Sequence, residues 1–293
     1  MDELQQHKDI AVIMRSKDEQ PYIEHALCNL NKQRSQHFTL YNVDSGSTDG
    51  SYEAALRFNS KPENVFQIRP EDYIPGKVLN DMIAKTRERI IVFLNADAIP
   101  QDENWLESLI QPIIEGKADA TMSKQIARPS AYFIVNYDYE RAYDSKNIGG
   151  DKNPYFFSAV ACAFRRDLWE NTKFYTKGFS EDILWCQECK SKGYRFMYVP
   201  DSIVEHSHNY TLRQLYKRKL IEGEAEVLIY GSKASARRQT YLCIRELTRD
   251  LLYTFKNIKL QKVPYNILYR VVAHLGFYAG HKRGAEKIRH AKK

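Results

Sequence analysis

Four short segments of this 293-residue chain carry side chains whose types and spacing suit chemistry. Asn95-Ala96-Asp97 closes the apolar run Arg89–Leu94, and a carboxylate at a strand end is a place to hold a divalent cation through oxygen. His206-Ser207-His208 closes another apolar segment. Residues two apart on a strand share a face, so both imidazoles can turn into one site; two half-exposed histidines at a strand end fit the spacing equally well. An imidazole beside a carboxylate would favour Mn²⁺. Glu181-Asp182 follows Gly178-Phe179-Ser180 at the start of a helical pattern. Neighbours on a helix face different ways, so one carboxylate can serve a substrate as general base while the other caps or orients, although a plain capping pair accounts for the residues too. The fourth segment, Asp44-Ser-Gly-Ser-Thr-Asp-Gly-Ser51, is a polar turn after an apolar strand, where Asp44 and Asp49 suit either ligand binding or turn and cap work.

The elements that must position these residues follow from periodicity. Strands are expected at Asp9–Met14, Phe38–Val43, Val65–Ile68 and Arg89–Leu94. Between and after them helices are expected at Glu19–Asn31, Tyr52–Phe58, around Val78–Ala84 after Pro75-Gly76, and at Glu103–Glu115. Alternating strands and helices over about the first 115 residues imply a parallel sheet with right-handed crossovers, and ligands in such sheets sit at the carboxyl ends of the strands. Further strands are expected at Ala159–Phe164 and Arg195–Val199, with a helix over Asp182–Ser191. Beyond Asn209 only helical patterns remain, and Leu268, Val271, Val272 and Leu275 have the spacing of a buried face, with Arg270 and His274 on another side. The expected organisation is a catalytic domain over 1–208, with a nucleotide-binding half at about 9–115 and an acceptor half at 116–208. A helical C-terminal region, 209–293, follows.

Composition narrows the function classes. With 43% hydrophobic and 28% charged residues the chain is an ordinary globular one, not a disordered or fibrous one. No apolar run reaches eighteen residues, and Met1–Asp9 is polar and acidic; these features lead us to expect a cytoplasmic protein. Five scattered cysteines fit a reducing compartment. Cys186-x-x-Cys189 lacks the second pair that a zinc site needs, so packing is its favoured role. The net charge of +7 is uneven: residues 209–293 hold 19 Lys/Arg against 6 Asp/Glu. That asymmetry points to a polyanionic partner or to a solvated helical face. No nucleic-acid-binding motif appears, so an anionic membrane surface is the expected partner and a nucleic acid is not. The first strand-to-helix turn, Met14-Arg-Ser-Lys-Asp-Glu19, lacks glycine, which excludes a dinucleotide fingerprint and a P-loop.

The ordered set of motifs resembles the family 2 glycosyltransferases of the GT-A fold. It comprises Val12–Glu19, Val43–Ser51, Gly76-Lys-Val-Leu-Asn80, Phe93–Pro100, Phe164–Trp169, Ser180-Glu-Asp182 with Trp185, Gly193–Pro200 and Val204-Glu-His-Ser-His208, and so covers about residues 9–210. Its flavour is that of bacterial surface-polysaccharide enzymes, including rhamnosyltransferase-like members. The resemblance implies a Rossmann-like, mostly parallel α/β sheet flanked by helices. It also implies inverting transfer of a sugar from a nucleoside-diphosphate donor, UDP- or dTDP-linked, to a hydroxyl of a saccharide or lipid-linked acceptor, with Mn²⁺ or Mg²⁺ as cofactor. By resemblance, Arg15, Asp44, Lys77, Asn80, Asn95 and Ala96 lie on the nucleotide-sugar side and Asp97 and His206 hold the metal, with His208 as the substitute. Asp182 is then the catalytic base, Glu181 its neighbour, and Trp185 an acceptor-side wall. One departure stands out: the first Asp of the Asp-x-Asp motif is Asn95, which removes a charge close to the metal and ribose. A non-catalytic relative that only binds sugar nucleotide or polysaccharide is the alternative this departure motivates. For the basic tail, peripheral association with the inner face of the cytoplasmic membrane is the expectation, against packing on the body or homo-oligomer formation.

Overall fold

The computed structural model describes residues 9–35, 37–148, 156–176 and 180–291. Residues 149–155, part of the segment Tyr137–Phe157 in which the sequence places donor and acceptor specificity, and 177–179, which include Gly178-Phe179 before the Glu181-Asp182 pair, lie outside the described residues. The described residues form two compact units. The first runs to Arg128, resumes at Tyr139 and ends with Glu181–His206; the second takes in Pro129–Asp138, Ser180 and the chain from Ser207 onward.

The first unit is built on a sheet of eight strands: β1 Ile10–Ser16, β2 Phe38–Asp44, β3 Val65–Gln67, β4 Ile90–Asn95, β5 Ile99–Pro100, β6 Ala120–Ile126, β7 Ala161–Arg165 and β8 Phe196–Glu205. Their order across the sheet is β3-β2-β1-β4-β7-β6-β8-β5. The first four are parallel, as the alternating pattern requires. β7 then runs antiparallel to both β4 and β6, and β8 lies parallel to β6. Its helices are α1 Tyr22–Leu30, α2 Ser51–Phe58, α3 Pro75–Lys85, α4 Trp105–Ile114, the last residues of α5 Phe133–Ala142 (which starts in the second unit), α6 Arg166–Asn171 and α7 Glu181–Ser191.

Period-two alternation sorts β1 onto both sheet faces. Ile10, Val12 and Met14 pack with Ile23, Leu27 and Leu30 of α1 and with Leu106, Leu109 and Ile110 of α4. Ala11 and Ile13 pack on the other face with Leu79, Met82 and Ile83 of α3 and with Trp185, Cys186 and Cys189 of α7. Both faces are covered, which is why these strands read as continuous apolar runs.

β6 was not expected from the sequence, and its side chains show why. Ala-Thr-Met-Ser-Lys-Gln-Ile carries its polar residues inward. The Thr121 hydroxyl donates to the Leu109 carbonyl at 2.7 Å, and Ser123 Oγ accepts from the Trp105 indole at 3.0 Å. Buried hydrogen bonds do there what apolar contacts do elsewhere, and they leave no hydrophobic period to read.

In the second unit, α8 Leu212–Tyr230, α9 Ala236–Lys256 and α10 Val263–Ala291 follow one another. Thr211 caps α8 in a capping box with Gln214, and Ser235 caps α9. α8 and α10 approach closely through glycines: a Cβ on Gly223 would stand 2.2 Å from the Phe277 carbonyl oxygen, and one on Gly280 would stand 2.1 Å from that of Leu220. The buried face of α10 is not the expected one. Leu268 and Leu275 are 47% and 57% exposed, whereas Asn266, Tyr269, Arg270, Ala273, Gly276, Gly280 and His281 are buried. Small residues permit the close approach and Arg270 supplies the specificity, its Nε donating to Asp250 Oδ2 at 2.5 Å and its other donors reaching Asp138. A fully paired guanidinium overrides the simple apolar period.

Candidate active site

The carboxyl ends of β1, β2 and β4 open into a cleft of about 290 Å³ lined by Arg15, Ser16, Lys17, Glu19, Ser45, Pro70, Tyr73 and Asn95. Arg15, next to last in β1, connects this cleft to the start of α7. One guanidinium nitrogen donates to Asn95 Oδ1 at 2.9 Å, and another stands 3.7 Å from Glu181 Oε1. Asn95 thus serves as a neutral acceptor for Arg15. Ala96 is wholly buried and its N–H donates to the Arg15 carbonyl, so it offers a fixed backbone rather than a side chain.

Asp97 and His206 meet, both buried, with Asp97 Oδ2 3.3 Å from His206 Nε2. The far side of the imidazole is anchored. Gln125 donates its Nε2 hydrogen to Ser158 Oγ at 3.0 Å, which turns Gln125 Oε1 toward His206 Nδ1 at 2.9 Å. A carbonyl oxygen accepts only, so Nδ1 donates to Gln125 and Nε2 is the nitrogen turned toward the Asp97 carboxylate. A carboxylate oxygen and an imidazole nitrogen turned to one point can share a cation, and an anchored N–H on the far side is what a metal-binding histidine needs. His208 stands two residues on, where the chain has passed into the second unit. Asp97 and His206 fit a divalent cation. Arg128, which the sequence did not single out, donates to the Asp97 carbonyl at 2.5 Å, lies 3.4 Å from Oδ2 and stacks over Tyr22 at 3.7 Å. It tempers the negative charge that Asp97 would offer a metal.

At the start of α7, Glu181 is buried beside Arg15, and Asp182 Oδ2 accepts from the Ala159 N–H at 3.2 Å. Burial raises the Asp182 carboxyl above its ordinary value, against the lowering pull of the Ala159 and Ile183 N–H groups and of Arg15. Desolvation thus outweighs the ionising pull of a helix N-terminus. Glu19 is shifted further. Burial first, then the Asp97 charge, pushes it up to about 8. A carboxyl held neutral near pH 7 can donate a hydrogen bond to an anionic group that a carboxylate would repel.

Four expected site residues have other work. Trp185 is 1% exposed, stacked on Phe174 at 4.6 Å, and its indole N–H donates to the Thr172 carbonyl at 2.7 Å. It is a core residue and presents no face to an acceptor. Asn80 holds the chain ahead of α7: it donates to the Phe174 carbonyl, and its Oδ1 accepts from the Phe174 N–H and the Trp169 indole. Lys77 lies on the exposed side of α3, paired with Asp81 at 2.8 Å. Gly76 completes the motif, for a Cβ there would stand 2.0 Å from the Tyr175 carbonyl oxygen. Gly76 and Asn80 together clamp residues 174–175, a few positions before Glu181-Asp182. Asp44 is fully buried and accepts from Ser16 Oγ, the Gly46 and Ser47 N–H groups and Ser47 Oγ, so its carboxylate shapes the turn. Cys186 and Cys189 are buried, and burial pushes both thiols up to about 12, which leaves them packing groups.

The family model for glycosyl transferase family 2 matches residues 11–172. The chain belongs to this family. Among its relatives are two O-antigen chain rhamnosyltransferases. WbaN of Salmonella anatum is 29% identical over 200 residues, 64% of this chain and 62% of WbaN. RfbN of Salmonella typhimurium is 28% identical over 191 residues, 60% of this chain and 59% of RfbN. The aligned stretch thus spans about three fifths of the length of either relative. Two solved structures share the GT-A fold. The Pyrobaculum calidifontis mannosyltransferase PcManGT, in complex with GDP-Man and Mn²⁺, is 20% identical with a TM-score of 0.61 over 92% of this chain and 86% of its own. Glucosyl-3-phosphoglycerate synthase of Mycobacterium tuberculosis, in complex with Mn²⁺, UDP and phosphoglyceric acid, is 19% identical with a TM-score of 0.53 over 74% and 77%.

Proposed function

We propose that this protein transfers a sugar, with inversion, from a UDP- or dTDP-linked donor to a hydroxyl of a saccharide or lipid-linked acceptor, in the synthesis of a bacterial surface polysaccharide. The observation that carries the reading is Arg15, which reaches Asn95 at the cleft with one nitrogen and Glu181 at the start of α7 with another. The cleft and the start of α7, where Asp182 follows Glu181, are thereby tied within one unit. Family membership and the two O-antigen relatives support sugar transfer and its setting.

In this reading the cleft at the ends of β1, β2 and β4 takes the nucleotide. Asp97 and His206 would hold Mn²⁺ or Mg²⁺, which when bound offsets charge growing on the diphosphate leaving group. Asp182 takes the proton of the acceptor hydroxyl as that oxygen forms its bond to the anomeric carbon and the bond to the diphosphate breaks. A raised carboxyl accepts a proton more readily, and the Ala159 N–H keeps Oδ2 aimed. Glu181 is a positioning residue that orients Arg15.

The second unit supports work at the inner face of the cytoplasmic membrane. Tyr241, Ile244, Leu252 and Phe255 are exposed on α9, with a spacing that sets them along one side among Arg237, Arg245 and Lys256. Basic residues near an anionic surface contribute about 1 kcal/mol each. No helix among the described residues is long and apolar enough to cross a membrane.

A thermal-shift panel of UDP, dTDP, GDP and ADP, with and without Mn²⁺, tests the donor side. A metal-dependent rise with one nucleotide, lost in Asp97→Ala, is expected. No rise with any of them would refute the donor reading.

A further inference from the structure

The helical second unit contains a cavity of about 430 Å³ among α8, α9 and α10, wholly within that unit. Its lining is ionic and unevenly paired. Lys219 is committed to Glu222 at 2.7 Å, Glu246 to His274 at 3.1 Å, and Arg270 to Asp250. Arg238 and Arg245, two turns apart on α9, are exposed at the cavity rim, and among the described residues no carboxylate comes within ion-pair range of either guanidinium. Deeper in, His281 is only 3% exposed, and its Nε2 has no hydrogen-bond partner. The nearest carboxylate oxygen, on Glu226, stands 3.8 Å away, outside hydrogen-bonding range. Buried polar atoms are normally satisfied, so an orphaned nitrogen on a cavity wall calls for a ligand.

We infer that this cavity binds a phosphoryl group, held by the Arg238 and Arg245 forks at its rim and by a hydrogen bond to His281 Nε2 within. Planar guanidinium groups match phosphate oxygens in pairs, and a buried imidazole nitrogen fixes the depth at which the group sits. Two separated arginines suit a diphosphate or a phosphodiester headgroup better than a carboxylate. The site is independent of sugar transfer, because none of its residues belongs to the cleft, the Asp97 cluster or α7.

The test uses the full chain, with His281 followed by imidazole ¹⁵N NMR and its signal assigned by its loss in His281→Gln. Inorganic pyrophosphate is titrated against wild type, against Asp97→Ala so that binding at the other site is excluded, and against the double variant Arg238→Gln/Arg245→Gln. A saturable shift of the His281 signal is expected in the first two, with affinity about tenfold weaker or worse in the double variant and regained in Arg238→Lys/Arg245→Lys. Both arginines are exposed, and an unchanged melting temperature in the double variant shows that the fold persists. A parallel titration compares short-chain phosphatidylglycerol with short-chain phosphatidylcholine. A pyrophosphate response assigns a soluble or diphosphate-bearing ligand; a His281 shift with phosphatidylglycerol alone, lost in the double variant, assigns a lipid headgroup. No His281 shift with pyrophosphate or phosphatidylglycerol would overturn the site, as would equal affinity in the double variant.

Discussion

Glu19 gives the sharpest check on the electrostatics of the cleft. Its ordinary value of 4.5 is raised to about 8, by burial first and by the Asp97 charge second. The folded protein therefore keeps this proton between those values while the unfolded chain has lost it, so stability should be full below about pH 4.5 and fall as pH rises through about 8. At 1.36 kcal/mol per pH unit the gap corresponds to about 5 kcal/mol, and because Glu19 keeps part of its surface in water, screening reduces this to about 2 kcal/mol. Glu19→Gln retains the shape and cannot ionise. Urea unfolding of wild type and variant at several pH values isolates this group, since every other titration is common to both. The variant should match wild type near pH 4.5 and exceed it by about 2 kcal/mol near pH 9. A difference that stays constant with pH, or a variant less stable at pH 9, would refute the claim that burial holds this carboxyl neutral.

Three further outcomes are expected. Gly76→Ala puts a methyl 2.0 Å from the Tyr175 carbonyl oxygen, so it should cost about 1–3 kcal/mol in chemical denaturation and lower turnover by shifting the chain ahead of Asp182. Gln125→Leu removes the anchor of His206 Nδ1 and should weaken Mn²⁺ binding about 10- to 100-fold by calorimetry; unchanged affinity would take His206 out of the ligand set. Ile244→Asp/Leu252→Asp should abolish flotation with anionic vesicles while leaving the circular dichroism spectrum intact, and retained flotation would show that this side of α9 is not the membrane face.

The parallel half of the sheet was legible because its strands are buried on both faces and its helices carry one apolar stripe each. β6 was not, because Thr121, Ser123 and Gln125 bury hydroxyl and amide groups in place of hydrocarbon. For α10 the apolar period misled: close packing needed Gly223 and Gly280, and the buried Arg270 needed Asp250 and Asp138, partners far away in sequence. At the candidate site, Asp97, His206, Glu181 and Asp182 could be named from strand and helix ends. Glu19 and Arg128 could not, since only the folded geometry sets them around Asp97. Asn80 and Trp185 were conspicuous in the motifs for a structural reason, namely that they hold the chain that leads into α7.

The central claim, that Asp182 accepts the acceptor proton, is tested most directly by Asp182→Asn. The variant keeps the size and removes the base, so metal-dependent nucleotide binding should persist while sugar transfer, followed by release of nucleoside diphosphate in the presence of acceptor, falls by about 10²- to 10⁴-fold. Transfer at the wild-type rate with binding intact would contradict the account.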